Sequence, residues 1–368
     1  MENKTKIILI VLIALIACGV AISLFASPSS VNSSGNQTIT DMANRTVNIP
    51  NNINRVVATS PPMTTIMYML APEKLVGVNF QWTDEELKYV PDQYKEKFPV
   101  IGGWFGRQDG NYEEFIASEP NFVVESIDEG MGVDLSTVEE RQEKFGSLPV
   151  IAVTDNTNVT KIGSTIEFMG KILGAEDKSS QLIAFNDKYL SEVQGIAGTI
   201  PESEKKSVYY ASGEDGLSTY ASGNSHGQLI SLVGGKNVAD TEVQNSGGEL
   251  TISIEQVMSW NPDIIIATDE DFYNKVYTDS KWANVKAVKD HKVFISPQSP
   301  FKWFDRPPGA NIIIGVPWTA KVIYPEKYSN INMVDATKEF YSNFYHYDLS
   351  DEQAKEILTS SGLNESDL

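Results

Sequence analysis

The sequence has little of the chemistry that enzymes, metal proteins and nucleic-acid-binding proteins use. Cys18 is the only cysteine among 368 residues, so no internal disulfide can form. The three histidines, His226, His291 and His346, are scattered and lack metal-site spacing. No Gly-rich phosphate loop or nucleophile-elbow motif is present. We therefore expect a protein that is not an enzyme and that has no cofactor and no bound metal.

Positive charge is also scarce. The 29 basic residues face 49 acidic ones, for a net charge of -20. Phosphate binding requires a basic surface, so nucleic acid is excluded as a partner. Paired carboxylates of the glycosidase kind are not excluded by composition, because acidic residues are abundant.

The N-terminus indicates export. Lys4 and Lys6 precede an apolar run over residues 7–26, which is long enough to span a bilayer. Two interpretations stay open: a signal peptide cleaved so that Cys18 becomes lipidated, or an uncleaved anchor. A Ser/Asn-rich stretch, residues 27–38, indicates a flexible tether. Both interpretations place the folded part outside the cytoplasmic membrane and attached to it. The glycosylation sequons at Asn36, Asn44, Asn158 and Asn364 are weak support.

One pattern occurs twice in matching register. Its copies are residues 111–124 and 253–266, each predicted as a capped helix start, a proline and a buried strand. Asn111 and Ser253 are the predicted caps, followed three positions later by Glu114 or Gln256 as in a capping box. The apolar positions of the two copies match and predict one buried helical face. They are Tyr112, Phe115 and Ile116 in the first copy and Ile254, Val257 and Met258 in the second.

Each copy carries a glutamate at the second helical position, Glu113 or Glu255. Acidic residues in a first turn also complement the helix dipole, which is the simpler interpretation of either residue alone. The repetition favours two similar lobes, each presenting a carboxylate at an equivalent place.

Strands alternate with helices along the chain, which predicts an α/β fold of two doubly wound lobes with a ligand cleft between them. The long apolar stripe from Lys178 to Ile196 predicts a single rigid helix joining the lobes. The predicted boundaries are 1–26 for the signal or anchor, 27–38 for the tether, 39–160 for the N-terminal lobe, 161–200 for the connecting helical region, 201–330 for the C-terminal lobe and 331–368 for a helical extension.

Each lobe has one loop that combines aromatic residues with an arginine. The first contains Trp104, Phe105 and Arg107, and the second contains Trp303, Phe304 and Arg306. Aromatic rings offer flat contact area and arginine offers forked donors to an anion, so these loops are candidate ligand contacts. The alternative is that Trp303 and Phe304 pack the lobes and that Arg306 pairs with Asp305 or another acid.

Three further aromatic residues belong to the same candidate cleft. Tyr210 is included among the ligand contacts, and Tyr220 and Trp82 are weighed with it as core or rim residues.

Together these features resemble the substrate-binding component of ABC importers for iron–siderophore complexes, haem and cobalamin. The resemblance rests on the strand opening at Arg55-Val56-Val57, the two Glu-bearing helix starts, the long connecting helix and the Trp303–Pro308 loop. It implies a monomer that carries a metal chelate to a permease dimer with ATPase subunits. Glu113 and Glu255 match the docking glutamates of that family, and Trp104 matches an aromatic that packs on cobalamin. Thr65 stands where family members often carry a glutamate.

The ligand stays open at this point. The arginines favour an anionic iron complex, and Trp104 leaves cobalamin open as a ligand. A metal oxyanion such as molybdate or tungstate also suits two arginines. A surface enzyme or an adhesion protein on the same scaffold are the rival interpretations.

Overall fold

The computed structural model describes residues 35–128, 132–239 and 248–368. Its contacts define a large unit, residues 37–49 and 53–368, and a small unit whose described residues are 35–36 and 50–52. In the small unit the Asn51 amide donates to the Gly35 carbonyl at 2.9 Å. The N-terminal apolar run and Cys18 lie outside the described residues. No helix within the described ranges has the length and hydropathy to cross a bilayer.

The strands run from one end of the described chain to the other. They are β1 (Asn36–Thr40), β2 (Thr46–Pro50), β3 (Val56–Ala58), β4 (Phe122–Ser126), β5 (Val150–Val153), β6 (Ser207–Ala211), β7 (Ser218–Thr219), β8 (Lys236–Asn237), β9 (Leu250–Thr251), β10 (Ile264–Ala267) and β11 (Val293–Ile295). Strands β1 and β2 pair with each other, and β7 pairs antiparallel with β9.

The first lobe is built around a parallel sheet in the order β3-β4-β5. Its register aligns Val57 with Val123 and Val124 with Ile151. All residues of these strands are buried, and most are β-branched or aromatic, as expected for strands covered on both faces. The segment from Leu75 to Val78, which the sequence predicts as a strand, forms only isolated parallel bridges to Val56 and Val100.

The second lobe is built around a parallel sheet in the order β11-β10-β6-β8. Here Ile265 aligns with Tyr209 on one side and with Val293 on the other. The two parallel sheets with their helices confirm the predicted α/β fold class. The domain boundaries stay predictions.

In seven of the fourteen described helices, the N-cap side chain accepts a hydrogen bond from a backbone amide of the first turn. The fourteen helices are Pro61–Leu70, Asp84–Leu87, Asp92–Lys95, Tyr112–Ala117, Leu135–Phe145, Gly163–Leu173, Glu176–Ala197, Gln228–Leu232, Ile254–Trp260, Glu270–Lys275, Lys286–Lys289, Ile312–Ile323, Met333–Phe340 and Asp351–Ser360. A helix over residues 282–288 is predicted, but only its end is helical, because the chain up to Val285 forms turns.

The two copies of the repeat begin as expected, with one difference. Asn111 accepts a hydrogen bond from the Glu113 amide at 3.0 Å, and Ser253 accepts one from the Gln256 amide at 3.3 Å. Both caps are therefore confirmed. The reciprocal arm of a capping box is absent at these two described helices, so that part of the prediction is wrong. Complete capping boxes occur instead at Thr83 and Ser350.

The connecting helix, Glu176–Ala197, confirms the predicted long helix between the sheets. Its 22 residues make it about 33 Å long at 1.5 Å per residue. The buried side chains lie on one stripe, with Leu182, Tyr189 and Val193 among them. The preceding helix ends at Gly174, whose φ of 64° is the left-handed conformation that favours glycine at a C-cap.

The C-terminal segment ties both lobes together. His346 donates from Nε2 to the Tyr68 carbonyl of the first lobe at 2.9 Å. On the second lobe, the Ile295 amide donates to the Ser361 carbonyl at 3.0 Å, and Trp318 Nε1 donates to Ser361 Oγ at 3.0 Å. Relative motion of the lobes is therefore restrained at two places, the connecting helix and this segment.

Candidate functional site

The carboxyl ends of the two sheets meet through the loop that follows β11. In this loop Gly309 lies against Pro62 of the first lobe, where an added Cβ would come within 3.1 Å of Cα. Phe301 and Pro307 from the same loop line a small hollow of about 10 Å³ together with Pro61 and Thr64 of the first lobe. Open α/β sheets bind ligands at the carboxyl ends of their strands, so this junction is where a ligand site is expected.

Arg306 lies at the edge of this junction and is held by several groups of the second lobe. Its Nη2 donates to Glu249 Oε1 at 2.7 Å, to Ser212 Oγ at 2.8 Å and to Tyr220 Oη at 3.4 Å. The Arg306 side chain keeps 40% of its surface exposed, and the Glu249 side chain keeps 39%. The alternative that Arg306 pairs with an acid agrees with these contacts, yet the guanidinium still reaches solvent.

A buried carboxylate lies close to the Arg306 guanidinium. Asp305 is fully buried, lies 3.8 Å from Arg306 Nε, and is hydrogen-bonded by Tyr210 Oη and His226 Nδ1. Burial acts to lower the pKa of Arg306, but Tyr210 and Asp305 outweigh it and raise that pKa. The guanidinium is therefore charged at any physiological pH.

The tryptophan of the first loop is covered by an arginine of its own lobe. Arg141 Cζ lies 4.0 Å from the centroid of the Trp104 ring, and Tyr112 and Phe115 pack near the same ring at 4.7 and 5.3 Å. Arg141 forms an ion pair with Glu125, and both side chains are almost fully buried. Burial raises the pKa of Glu125 despite the arginine. Trp104 is half-buried, and its role as a ligand contact stays a prediction.

The other residues of the first loop are more open. The Phe105 ring is half-buried and lies 6.5 Å from Phe80. Arg107 is exposed. In the described part of the chain it makes neither an ion pair nor a side-chain hydrogen bond. Unlike the Arg306 guanidinium, the Arg107 guanidinium is therefore not held in one orientation.

Three of the predicted ligand residues are packed in the interior. Trp303, Phe304 and Tyr210 are each 1% exposed or less. Trp303 lies 6.2 Å from the Tyr341 ring, and Phe304 lies 5.4 Å from the Tyr210 ring. Side chains without accessible surface pack as core, which agrees with the alternative that Trp303 and Phe304 pack the lobes. Direct ligand contact by them stays a prediction, and they are left out of the site proposed below.

Tyr220 and Trp82, weighed as core or rim, occupy different places. Tyr220 stacks on His226 with centroids 4.1 Å apart and belongs to the Arg306 surroundings. Trp82 is buried between the lobes, where its ring lies 5.5 Å from Phe301 and 5.6 Å from Tyr68.

A hollow of about 100 Å³ lies elsewhere, beside the C-terminal helix. Its charged lining is mainly acidic, with Glu85, Glu270 and Glu356, and Lys88 there is paired with Glu356 at 3.1 Å. Burial, followed by repulsion from Glu85, raises the pKa of Glu270. This lining repels anions, so the larger hollow does not suit the anionic ligand that Arg306 suits.

The two repeat helices present their glutamates to solvent. Glu113 and Glu255 are both exposed in the first turns of Tyr112–Ala117 and Ile254–Trp260. Hydrogen bonds from its own amide and from Ser253 lower the pKa of Glu255.

The apolar face of these helices differs from the prediction. Phe115 and Val257 are buried, as expected, but Ile116 is 47% exposed and Met258 is 38% exposed. The first position, Tyr112 or Ile254, is only half-buried. The expectation of three buried positions in each copy is therefore confirmed at the second position alone and is wrong at the third. Each exposed apolar side chain stands three residues after the glutamate, so it shares that side of the helix.

Metal ligation finds no support among the described residues, where no group of three His, Cys, Asp or Glu side chains could hold an ion. The histidines have other surroundings: His291 stacks on Tyr277, and His346 bonds to the Tyr68 carbonyl. His226 is the exception, because it joins the buried Asp305 beside Arg306.

Sequence reasoning missed two residues of the Arg306 surroundings, Glu249 and Ser212. They lie 57 and 94 positions before Arg306, and no local pattern links such distant residues. The only available signal was position: Ser212 follows β6 directly, at the end of a strand where sites form.

The comparisons with known proteins agree with this architecture. A family model described as "Periplasmic binding protein" matches residues 56–300. The chain is 27% identical over 346 residues to the molybdate-binding protein MolA of Haemophilus influenzae, covering 88% of this chain and 95% of that protein. It is 27% identical over 294 residues to YvrC, an ABC transporter substrate-binding lipoprotein of Bacillus subtilis, covering 79% and 86%.

A solved structure is similar over nearly the whole chain. It is an ABC transporter solute-binding protein from Sulfurospirillum deleyianum, 30% identical, with a TM-score of 0.80. The alignment covers 88% of this chain and 99% of that one. Two parallel sheets, a connecting helix and a junction at the strand ends define the class of two-lobed solute-binding proteins. This chain belongs to the periplasmic binding protein family, whose members serve ABC importers, and the predicted family is confirmed.

Proposed function

We propose that this protein is the extracytoplasmic substrate-binding component of an ABC importer and that its ligand is an anionic metal species. The observation that carries the proposal is Arg306, a charged and partly exposed guanidinium at the junction of the two sheets. A guanidinium offers planar, forked donors to oxyanions and carboxylates. The family membership supplies the transport role, and the solute-binding relatives favour binding over catalysis.

The ligand classes are a metal oxyanion, such as molybdate or tungstate, and an anionic iron complex, such as a ferric siderophore or haem. Similarity to MolA favours the oxyanion. The burial of Trp303 and Phe304 points the same way, because it leaves fewer aromatic surfaces for a large chelate. Cobalamin remains in the set of ligands to test, with Trp104 as its contact.

Delivery to the membrane is the second part of the proposal. The partner is a permease dimer with its ATPase subunits, and Glu113 and Glu255 dock onto basic groups of the two permease subunits. Charge pairs of this kind fix register and partner choice more than affinity. The protein is held at the membrane through its N-terminus, either by a lipid on Cys18 or by the apolar run.

A ligand screen by thermal unfolding tests the proposal. The full chain in mild detergent is mixed with molybdate, tungstate, sulfate, a ferric siderophore, haem or cobalamin. Ligand at 100 times its Kd adds about 2.7 kcal/mol to the free energy of unfolding. A shift with one class identifies the cargo. Folded protein that responds to none of them would contradict the proposed cargo.

A further inference from the structure

Two hydrogen-bond donors of the second lobe converge on a single carboxylate oxygen. Glu249 Oε1 accepts from Arg306 Nη2 at 2.7 Å and from Ser212 Oγ at 2.9 Å. One cationic and one neutral donor aimed at one oxygen is the arrangement by which proteins hold an oxygen of a carboxylate or oxyanion. Glu249 therefore occupies a ready anion position with a side chain of the protein itself.

The exposure of these groups makes the carboxylate replaceable. Arg306 and Glu249 are 40% and 39% exposed, whereas Asp305 behind them has no exposed surface. Exposed ion pairs contribute little to stability, because water solvates the separated charges well. Asp305 keeps its bonds to Tyr210 and His226 whether or not Glu249 is present, so the guanidinium retains one fixed counter-charge.

The backbone of Glu249 is held independently of its carboxylate. Glu249 directly precedes β9, whose Leu250 pairs with Thr219 and whose Thr251 pairs with Ser218. A rotation of the Glu249 side chain therefore vacates the oxygen position without any change in the strands.

We propose that Glu249 is an internal competitor: its carboxylate occupies the position of one ligand oxygen and is displaced when the anionic ligand binds. This rests on the proposed function, since it assumes that Arg306 meets the ligand. A ligand must outcompete a tethered carboxylate, so weak monovalent anions are rejected. A divalent oxyanion interacts more strongly with the guanidinium and displaces Glu249. The ligand is thus a divalent oxyanion, and one of its oxygens takes the position that the Glu249 carboxylate oxygen holds.

Isothermal titration of the full chain with molybdate tests the competition. Glu249→Gln keeps the shape of the side chain but removes its charge, and Glu249→Ala removes the side chain. We expect both to bind molybdate at least 10-fold more tightly than the wild type, and both to gain affinity for chloride. Arg306→Met is expected to lose molybdate binding. Glu214→Gln, which neutralises an exposed acid of the same lobe, is the matched control and leaves the affinity unchanged.

The outcomes separate this inference from the proposed function. Unchanged or weaker molybdate binding in both Glu249 variants, with thermal unfolding like the wild type, overturns the competitor role. Absence of molybdate and tungstate binding in the wild type and in both variants also overturns it, whereas haem or ferric-siderophore binding would leave the transport proposal intact. Tighter binding in the variants, combined with uptake that does not need this protein, would support the competitor and contradict the transport role.

Discussion

Both lobes place an arginine–carboxylate pair near the carboxyl ends of their strands, and the two pairs differ in access to water. In the first lobe, the side chains of Arg141 and Glu125 are 9% and 2% exposed, and Trp104 covers the guanidinium. In the second lobe, Arg306 and Glu249 are each about two-fifths exposed. The same residue chemistry thus gives a buried ion pair in one lobe and the proposed anion position in the other.

The two repeat helices, unlike the two arginine–carboxylate pairs, are alike in what they expose to solvent. Each has an exposed glutamate and, three residues later, an exposed apolar side chain: Glu113 with Ile116, and Glu255 with Met258. A partner with two equivalent subunits would meet equivalent surfaces on the two lobes. The proposed ligand site is therefore asymmetric, while the proposed docking surface is symmetric.

The largest expected effect is the loss of stability when the arginine of each pair is removed. Arg141→Met leaves Glu125 buried without its counter-charge, which costs about 3–5 kcal/mol of stability. Arg306→Met is expected to cost roughly 1 kcal/mol, because Arg306 is partly exposed and its Nε lies 3.8 Å from Asp305 without a hydrogen bond. Urea unfolding of both variants measures this difference. Equal losses would mean that the two pairs are not distinguished by access to water.

The second prediction concerns the symmetric surface. On the proposed docking mode, Glu113→Ala or Glu255→Ala weakens permease binding by about 2 kcal/mol each, or roughly 30-fold. The double variant is expected to abolish uptake in cells while the purified protein binds ligand normally. The control is Glu214→Gln, an exposed acid outside both helices. Full uptake with the double variant would show that these glutamates do not dock.

The third prediction extends the symmetry to the exposed apolar side chains. Ile116→Ala and Met258→Ala are each expected to weaken permease binding by about 1 kcal/mol, because an interface would bury part of their surface. Thermal unfolding should change little, since both are already exposed. Val100→Ala is the exposure-matched control, because Val100 is 47% exposed, as Ile116 is, and lies outside the helices. An equal loss of permease binding with Val100→Ala would contradict the assignment of the docking surface to these two helices.

The smallest prediction concerns the segment that joins the lobes. Burial lowers the pKa of His346 below its ordinary value of 6.5. Below pH 6.5 the unfolded chain therefore takes up a proton that the folded histidine resists, so stability present above pH 6.5 is lost as the pH falls towards the lowered pKa. His346→Asn, which suits the left-handed φ of 60°, should flatten this dependence. The measurement is thermal unfolding between pH 7.5 and 5. An unchanged slope in the variant would assign the dependence to other groups.

The sequence predicts local features of this protein well because their causes are local. The caps Asn111 and Ser253, the stripe of the connecting helix and the glutamates at the second helical position each depend on a few neighbouring residues. The buried strands are also recognised from runs of β-branched residues.

Contacts between residues far apart in the chain could not be predicted from the sequence. Nothing near Trp104 indicates that Arg141 covers its ring, and nothing near Arg306 indicates Glu249 or Ser212. Trp303 and Phe304 have the composition of a ligand loop, but tertiary packing buries them. Ile116 and Met258 fit a helical face, but their six- and seven-residue helices cover only part of that face.

A comparison of the two arginines of the aromatic loops tests most directly whether the ligand binds at the junction of the two sheets. Isothermal titration measures the Kd of the best ligand from the thermal screen for the wild type, Arg306→Met and Arg107→Met, with folding checked by circular dichroism. We expect Arg306→Met to weaken binding at least 30-fold, or about 2 kcal/mol. We expect a change of less than threefold for Arg107→Met, because Arg107 is exposed. Equal affinity in the wild type and Arg306→Met would contradict the assignment of the ligand to this junction.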